Sequence, residues 1–453
     1  MIEFFTWLLL IAFGVFLLLF VVYSFLENEK RALLRGIITL LFYGLILVVV
    51  STLPTQIFPY LLVAQLLILI IILLKFGNRN ILFKIPENRY DERDVMFSRD
   101  TLKAGTERFN SYYKMRPENK PVDDNFRNYP GLLEKGTFFY NELLYSASKA
   151  TFSTVDLLNP LVEQAAVKGK SKLSGKEISE FIKNWTKQLG AVRVGFALIK
   201  PHHVYTHVGR GEQYGEEVEL DHNYAIAFTV EMEQKAMSYN PKGPVILESA
   251  QQYLNAGRIA VQLTEFLRNL GYEARAHIDA NYRLICPIVA QDAGLGAIGR
   301  MGLLMTPELG PRVRVGAVST NLELPAYENP PDSSVIQFCE ICKKCAVNCP
   351  TQSIPTNSYK ENNPPKRWKI NHEICFTYWR KAGTDCGRCI AVCPYSHPNN
   401  FIHNTIRWMI KRNPLNRRLA LQLDDFFYGR KPASAKLKRW MTPESNKIKH
   451  ISK

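Results

Sequence analysis

The sequence predicts an α/β domain joined to a small cysteine-rich module and carried on an anchor of three apolar helices. Three observations predict it. Short β-like runs alternate with helical stretches from Ser174 to Leu322, eight of the nine cysteines fall into two tight runs that follow, and most of the apolar excess lies before residue 77. A chain of 453 residues has room for two or three domains.

The anchor, residues 1–76, comes first. Phe4 to Leu26 carries no charge, and neither does Gly36 to Leu74, which Pro54 and Pro59 break into two spans near the lower limit for crossing a bilayer. The start MIEFF has no basic region, no twin arginine and no small-residue cleavage site before Glu27, so a membrane anchor is expected in place of an export signal. Lys30, Arg31 and Arg35 lie between the first two helices, and Lys75, Arg79 and Lys84 follow the third, while the connection near Ser51 to Pro59 is uncharged. Basic loops face the cytoplasm, which places the anchor in the inner membrane with the large domain on the cytoplasmic side. Reduced thiolates are maintained there. The first 76 residues hold no His and no Cys, so the anchor cannot bind a haem through paired histidines.

Residues 77–173 link anchor and catalyst. From about Asn80 to Pro130 charges and turn formers dominate, which predicts an extended wrapping segment more than a core. Residues 174–333 form the α/β domain. Its strand-like runs are VRVGFALI, YAIAFTVEM and RVRVGAVST, and its clearest helix runs from Gln251 to Leu270 with Tyr253, Ile259, Leu263, Phe266 and Leu267 on one face. Such alternation builds a sheet covered by helices, with a ligand crevice at strand ends. Gly294, Gly296 and Gly299 match GxGxxG, but no acidic residue follows about 20 positions on and Thr306-Pro307 interrupts the place of the crossover helix, which argues against a dinucleotide site. Two readings stay open for the loop: close backbone approach to a large planar cofactor, or a plain tight turn.

The module of residues 334–400 is the most specific signal. Cys339-x2-Cys342-x2-Cys345-x3-Cys349-Pro350 has the spacing of a bacterial-ferredoxin-like run for two [4Fe-4S] clusters, in which three close thiolates reach one cubane and the fourth cysteine swings to the other. Cys339, Cys342, Cys345 and Cys393 are expected on one cluster, and Cys375, Cys386, Cys389 and Cys349 on the second. Cys375 departs from the ferredoxin pattern, with ten residues between it and Cys386 instead of two. Zinc sites would place a longer loop between two CxxC pairs, and neither run does. Cys286, within LICPIVA, reads as a buried, inert thiol.

Residues 401–453 form a basic tail, with thirteen Lys or Arg against three Asp or Glu out of a net charge of +16 for the chain. Anionic lipid headgroups are the simplest partner, a tRNA would also want positive charge, and a solvated tail is the third reading.

The segment DAGLGAIGRMGLLMTPELGPRVRVGAVST (Asp292 to Thr320), the cysteine runs and CPYSHPNN (Cys393 to Asn400) together resemble the corrinoid-dependent reductive dehalogenases. KPHHVYTHVGRG (Lys200 to Gly211), YAIAFTVEME (Tyr224 to Glu233) and DDFFYGRKP (Asp424 to Pro432) agree, and the likeness covers roughly residues 88 to 435. It implies a nitroreductase-like α/β fold binding a base-off cobalamin, with Gly294, Gly296, Gly299 and Gly302 at the cofactor and the clusters relaying electrons. The absence of a DxHxxG run is compatible with a corrinoid that the protein does not ligate. The implied reaction replaces the halogen of an organohalide by hydrogen. Tyr253, at the family's offset before Leu270-Gly271-Tyr272, is the implied acid, and Arg314 the cation that stabilises its phenolate. Tyr253 also reads as a core aromatic.

Asp279, in HIDANY, stands where similar dehalogenases often carry asparagine and the related epoxyqueuosine reductases an acid. It is a second candidate donor or a turn residue. His277 is a third donor or, preferably, a solvated histidine. The competing functions are an epoxyqueuosine reductase-like tRNA-modifying enzyme and a non-catalytic membrane electron-transfer protein. Ferredoxin, flavodoxin, a reductase or membrane quinol are the expected donors; nucleic acid is the less expected partner, because a fixed anchor is awkward for a tRNA enzyme.

Overall fold

The computed structural model describes residues 1–78, 88–357 and 368–442. It divides into two units: Met1–Ile81 with Ser333–Cys342 and His397–Lys431, and Leu82–Asp332 with Lys343–Ser396 and Pro432–Lys453. Arg79 and Lys84 of the predicted basic flank, part of the cysteine module (358–367) and the end of the tail (443–453) lie outside the described residues.

Helices α1 (Ile2–Leu26), α2 (Lys30–Ser51) and α3 (Phe58–Leu73) open the chain, and α1, α2 and the helical stretch Thr55–Leu73 that contains α3 are each long and apolar enough to cross a membrane. Helices suit that environment because every interior backbone group is satisfied within the segment. α1 packs on both others, with Gly36 of α2 letting Phe20 of α1 approach to 3.1 Å of where a Cβ would stand. Leu41 and Phe42, on the outward face of α2, are 70% and 63% exposed, as lipid-facing side chains should be.

The segment expected to be extended instead forms three short helices, α4 (Met96–Asp100), α5 (Glu107–Met115) and α6 (Lys120–Arg127), before α7 (Glu142–Asp156). Five to nine residues cannot sustain a helix alone. Tertiary partners do it: Arg99 and Asp123 form a buried ion pair, Tyr113 donates to Asp123 at 2.7 Å, and Met96 and Phe126 join one apolar cluster.

The core begins with α8 (Gly175–Gln188), started by a Ser174/Glu177 capping box. It continues through β1 (Arg193–Leu198), β2 (Tyr224–Glu231), α9 (Gln234–Met237), α10 (Gly243–Asn269), β3 (Ala274–His277), α11 (Cys286–Asp292), the hairpin β4 (Ala297–Ile298) and β5 (Leu304–Met305), and β6 (Val313–Thr320). The main sheet has the order β1-β2-β6-β3 and every pair is antiparallel. Alternation sorts its side chains to two layers. Ile226 and Phe228 of β2 pack with Ile259, Leu263 and Leu267 of α10 and Ile178 and Ile182 of α8, whereas Ala225 and Ala227 face Val289 and Ala290 of α11. Helices therefore cover both faces of the sheet.

The cysteine module contributes α12 (Ser333–Cys342), which belongs to the first unit, and α13 (Lys344–Val347), α14 (His372–Ala382) and α15 (Arg388–Ala391) of the second. α14 is seated by Arg99 on Glu373 at 3.0 Å, by Arg380 on Asp100, and by Phe376 against Phe126. The short helices α4 and α6 thus hold the helix that carries Cys375. The segment read as a basic tail carries α16 (Phe401–Ile410) and α17 (Pro414–Phe427), which pack on α1 and α2.

Candidate active site and iron–sulfur ligands

Three elements bring the predicted catalytic residues together: α10 carries Tyr253, β6 carries Arg314, and the turn after β3 carries Asp279. The Arg314 guanidinium lies 4.7 Å from the centroid of the Tyr253 ring, over its face. Its Nη2 donates to Ser249 Oγ at 2.6 Å and to Asp385 Oδ2 at 3.1 Å, and Ser249 in turn donates to Asp385. Ser249 and Tyr253 are one turn apart on α10, so the same face presents both to Arg314. Asp385 immediately precedes the ligand candidate Cys386. Sequence reasoning missed Ser249 and Asp385, although the (i, i+4) spacing from Tyr253 and the place beside a cluster cysteine were visible.

Asp279 occupies the turn closed by Ile278 and Asn281, and it also acts electrostatically on Tyr253, Tyr282 and Arg210. The turn reading of Asp279 fits its place in the chain. Tyr282, which ends HIDANY, and Arg210, within KPHHVYTHVGRG, lie close by, the guanidinium 5.9 Å from the Tyr282 ring centroid; neither was singled out from the sequence.

Charge and burial set the acids. Arg314 draws the Tyr253 phenol down, but burial and the carboxylates of Asp279 and Asp385 outweigh it, so the phenol titrates above its ordinary value. Arg314 thus acts on Tyr253 in the expected direction, but burial and the two carboxylates outweigh it. Burial raises the Asp279 carboxyl against the pull of Arg210 and Arg314. Both groups therefore favour their protonated forms. His277 is not solvated as expected: it is 1% exposed, its Nε2 pairs with Ser319 Oγ at 2.9 Å, and its Nδ1 accepts from the Arg283 N–H at 3.1 Å. Burial and Arg275 hold it well below the usual histidine range, which leaves it a core residue. Cys286 is buried as predicted, its thiol pushed up to about 12.

The glycine loop folds back on the protein. A Cβ on Gly296 would stand 2.2 Å from the Met305 carbonyl oxygen, one on Gly294 2.8 Å from the Tyr327 ring, and one on Gly302 2.4 Å from Ile370. Gly294 and Gly302 also have φ of +76° and +74°, and Gly299 donates its N–H to Leu303 at 3.0 Å. Gly294, Gly296 and Gly302 therefore each have a reason within the chain, a close neighbour or a positive φ.

The cysteines divide as the units do. Cys339 and Cys342 lie on α12, and Cys345, Cys349, Cys375, Cys386, Cys389 and Cys393 lie in the second unit. There Cys389 is raised by burial first and then by Cys386, Cys375, Cys345 and Cys349, so these thiols sit within mutual electrostatic reach. Cys375 is pushed up to about 11 by burial and Cys349, and Cys386 to about 12 by burial with Cys375 contributing. Burial would raise Cys349 too, but hydrogen bonds with Ser353 (3.1 Å) and Thr351 (3.5 Å) bring it below its ordinary value. Five thiols within reach of one another suit a polynuclear iron centre, which needs several thiolates and neutralises their charge. Cys375 joins the set despite its unusual spacing.

A protein-family model described as a 4Fe-4S dicluster domain matches residues 338–397. The chain is 33% identical over 210 residues to a tetrachloroethene reductive dehalogenase of Sulfurospirillum multivorans, covering 45% of this chain and 41% of that protein. It is 33% identical over 213 residues to another of Desulfitobacterium hafniense, 45% and 38% of the two chains. An epoxyqueuosine reductase of Listeria monocytogenes is 30% identical over 128 residues, 25% of this chain and 30% of that one. The chain thus spans about two fifths of the length of the dehalogenases it matches. The catabolic reductive dehalogenase NpRdhA, in complex with 3-bromo-4-hydroxybenzoic acid, superposes with a TM-score of 0.63 at 22% identity, over 81% of this chain and 50% of that one, so the fold is shared. Over its matched residues the chain is similar to tetrachloroethene reductive dehalogenases and, over a shorter stretch, to an epoxyqueuosine reductase, and residues 338–397 match a 4Fe-4S dicluster domain.

Proposed function

We propose that this chain is a membrane-anchored reductive dehalogenase that replaces a halogen of an organohalide by hydrogen. The observation that carries the reading is the Tyr253–Arg314 pair, with Asp279 beside it, in a chain homologous to dehalogenases. One solved structure with which the chain shares its fold is described as suggesting a mechanism for B12-dependent dehalogenation. The residues present fit such a group. Tyr253, Asp279 and Tyr282 are only half-buried, and Arg314 Nε and Asp385 Oδ1 are buried without a hydrogen-bond partner among the described residues. Tyr253, Arg314 and Asp279 would border a base-off cobalamin, and the hairpin of Gly294, Gly296, Gly299 and Gly302 would form part of its wall. A bound corrinoid supplies a cobalt centre that can be reduced far enough to take on the carbon–halogen bond.

The protein supplies the rest. Replacement consumes two electrons and one proton and releases halide. Tyr253, protonated at neutral pH, holds that proton on its hydroxyl, and Arg314 over its ring stabilises the phenolate left behind. Ser249 and Asp385 keep Arg314 in place. Cys339, Cys342, Cys345 and Cys393 would hold one [4Fe-4S] cluster and Cys349, Cys375, Cys386 and Cys389 a second, and these would supply the electrons. Ferredoxin, flavodoxin, a reductase or membrane quinol would deliver them. Lys30, Arg31, Arg35 and Lys75 orient the anchor with the catalytic unit in the cytoplasm.

The raised Asp279 carboxyl favours a second reading, an epoxyqueuosine reductase-like enzyme with Asp279 as its essential acid. Anaerobic reconstitution with iron, sulfide and cobalamin tests these readings: about eight irons and one cobalt per chain support a corrinoid enzyme, and eight irons without cobalt leave an electron carrier. A salt-dependent shift of tRNA by the reconstituted protein would favour the second reading.

A further inference from the structure

The C-terminal helices α16 and α17 meet the ends of all three anchor helices. At α1, Asn400 donates to Glu27 at 2.6 Å and His403 Nε2 pairs with the same carboxylate at 3.3 Å. At α3, whose last carbonyls have no partner within the helix, Asn413 donates to Ile71 and Leu74 at 2.8 and 2.9 Å and Asn416 to Ile72 at 2.9 Å. At α2, Arg35 donates to the Phe426 carbonyl and its guanidinium lies 5.0 Å from the Phe426 ring centroid, while Phe20 of α1 meets Phe427 in a tilted ring contact at 4.4 Å. The helix pair is therefore fixed at the level where the apolar spans begin and end.

Its outward side carries a second stripe. Positions 401, 405, 408 and 412 of α16 and its end lie on one helical face, as do 415, 419, 422 and 426 of α17. Phe401, Trp408, Leu415, Leu419 and Phe426 on these faces are 60%, 37%, 50%, 40% and 48% exposed, although both helices already bury Ile402, Ile410, Ala420 and Phe427 on the other side. Arg412 covers the Trp408 ring at 4.2 Å, and Arg418 is exposed beside Leu419. Aromatic and aliphatic side chains interleaved with arginine, on a helix pair tied to membrane-helix ends, match an interfacial layer in which rings sit at headgroup depth and cations meet phosphate.

We infer that α16 and α17 form an interfacial hairpin lying in the headgroup layer of an anionic phospholipid bilayer, with Phe401, Trp408, Leu415, Leu419 and Phe426 dipping into it and Arg412 and Arg418 on its phosphates. The inference rests on reading α1, α2 and α3 as membrane-spanning. It makes the C-terminal segment part of the anchor.

The full reconstituted chain, placed in lipid nanodiscs, tests it through tryptophan quenching. Lipids brominated deep in the acyl chain report Trp7 of α1, and lipids brominated near the headgroup report Trp408. The expected result is deep quenching lost in Trp7→Phe, shallow quenching lost in Trp408→Phe with iron content unchanged, and weaker shallow quenching when phosphatidylglycerol is replaced by phosphatidylcholine or in R412Q/R418Q. Deep quenching with no shallow component from Trp408 would overturn the hairpin and leave the anchor standing, and cross-linked dimers under the same conditions would assign the stripe to a second copy. Loss of both signals would overturn the anchor itself, and the inference with it.

Discussion

Arg314 joins Tyr253, Ser249 and Asp385, and single substitutions around it separate their roles. Tyr253→Phe removes the proton and keeps the ring, so halide release should fall by about 100-fold or more while iron content stays constant. Asp385→Asn keeps the shape but loosens Arg314, and should lower kcat about 10-fold with KM nearly unchanged, read from steady-state halide release. A structural pair makes a stability test. Asp292 accepts from Lys200 at 2.8 Å and from His203 at 3.1 Å, and these bonds, working against burial, bring its carboxyl to about 2. A depressed folded value stabilises above the unfolded pKa and is lost as pH falls through the folded one. Asp292→Asn should therefore cost about 2.5 kcal/mol at neutral pH, and the gap to the parent should close as the pH falls from about 4 to 2, followed by denaturant unfolding.

At the scale of elements, two segments make opposite tests. Gly296→Ala drives a methyl onto the Met305 carbonyl 2.2 Å away, and should destabilise the β4–β5 hairpin by about 2 kcal/mol or more in a melting comparison. Cys375→Ser on α14 should remove about one cluster, halving the iron while leaving the fold intact, because α14 is also held by Arg99 and Arg380. The strands VRVGFALI, YAIAFTVEM and RVRVGAVST were legible as short apolar runs, as strands covered on both faces are, and the helix through Leu267 by its one-faced period. α4 and α6 were not, because a helix of five to eight residues set by a buried Arg99–Asp123 pair has no period to read. Tyr253, Arg314 and Asp279 were legible through resemblance alone. Asp385 acquires its meaning only when folding carries the loop before Cys386 to β6.

The whole molecule adds what neither scale holds. Cys339 and Cys342 belong to the unit of the apolar helices and the other six cysteines of the two runs to the unit of the main sheet, a division with no trace in the spacing of the runs. The tail read from charge as basic contains helices at the anchor, because positive charge says nothing of the buried face formed by Ile402, Ala420 and Phe427. Lys30, Arg31 and Arg35 predict that protease added to intact cells spares the catalytic unit and that cleavage appears only after the membrane is opened. The most direct test of the central claim is halide release from a panel of halogenated phenols by the anaerobically reconstituted chain with reduced viologen. The account predicts release that requires cobalamin and is lost in Tyr253→Phe; a chain loaded with cobalt and iron that releases no halide from any of them, or releases it equally well in Tyr253→Phe, would contradict it.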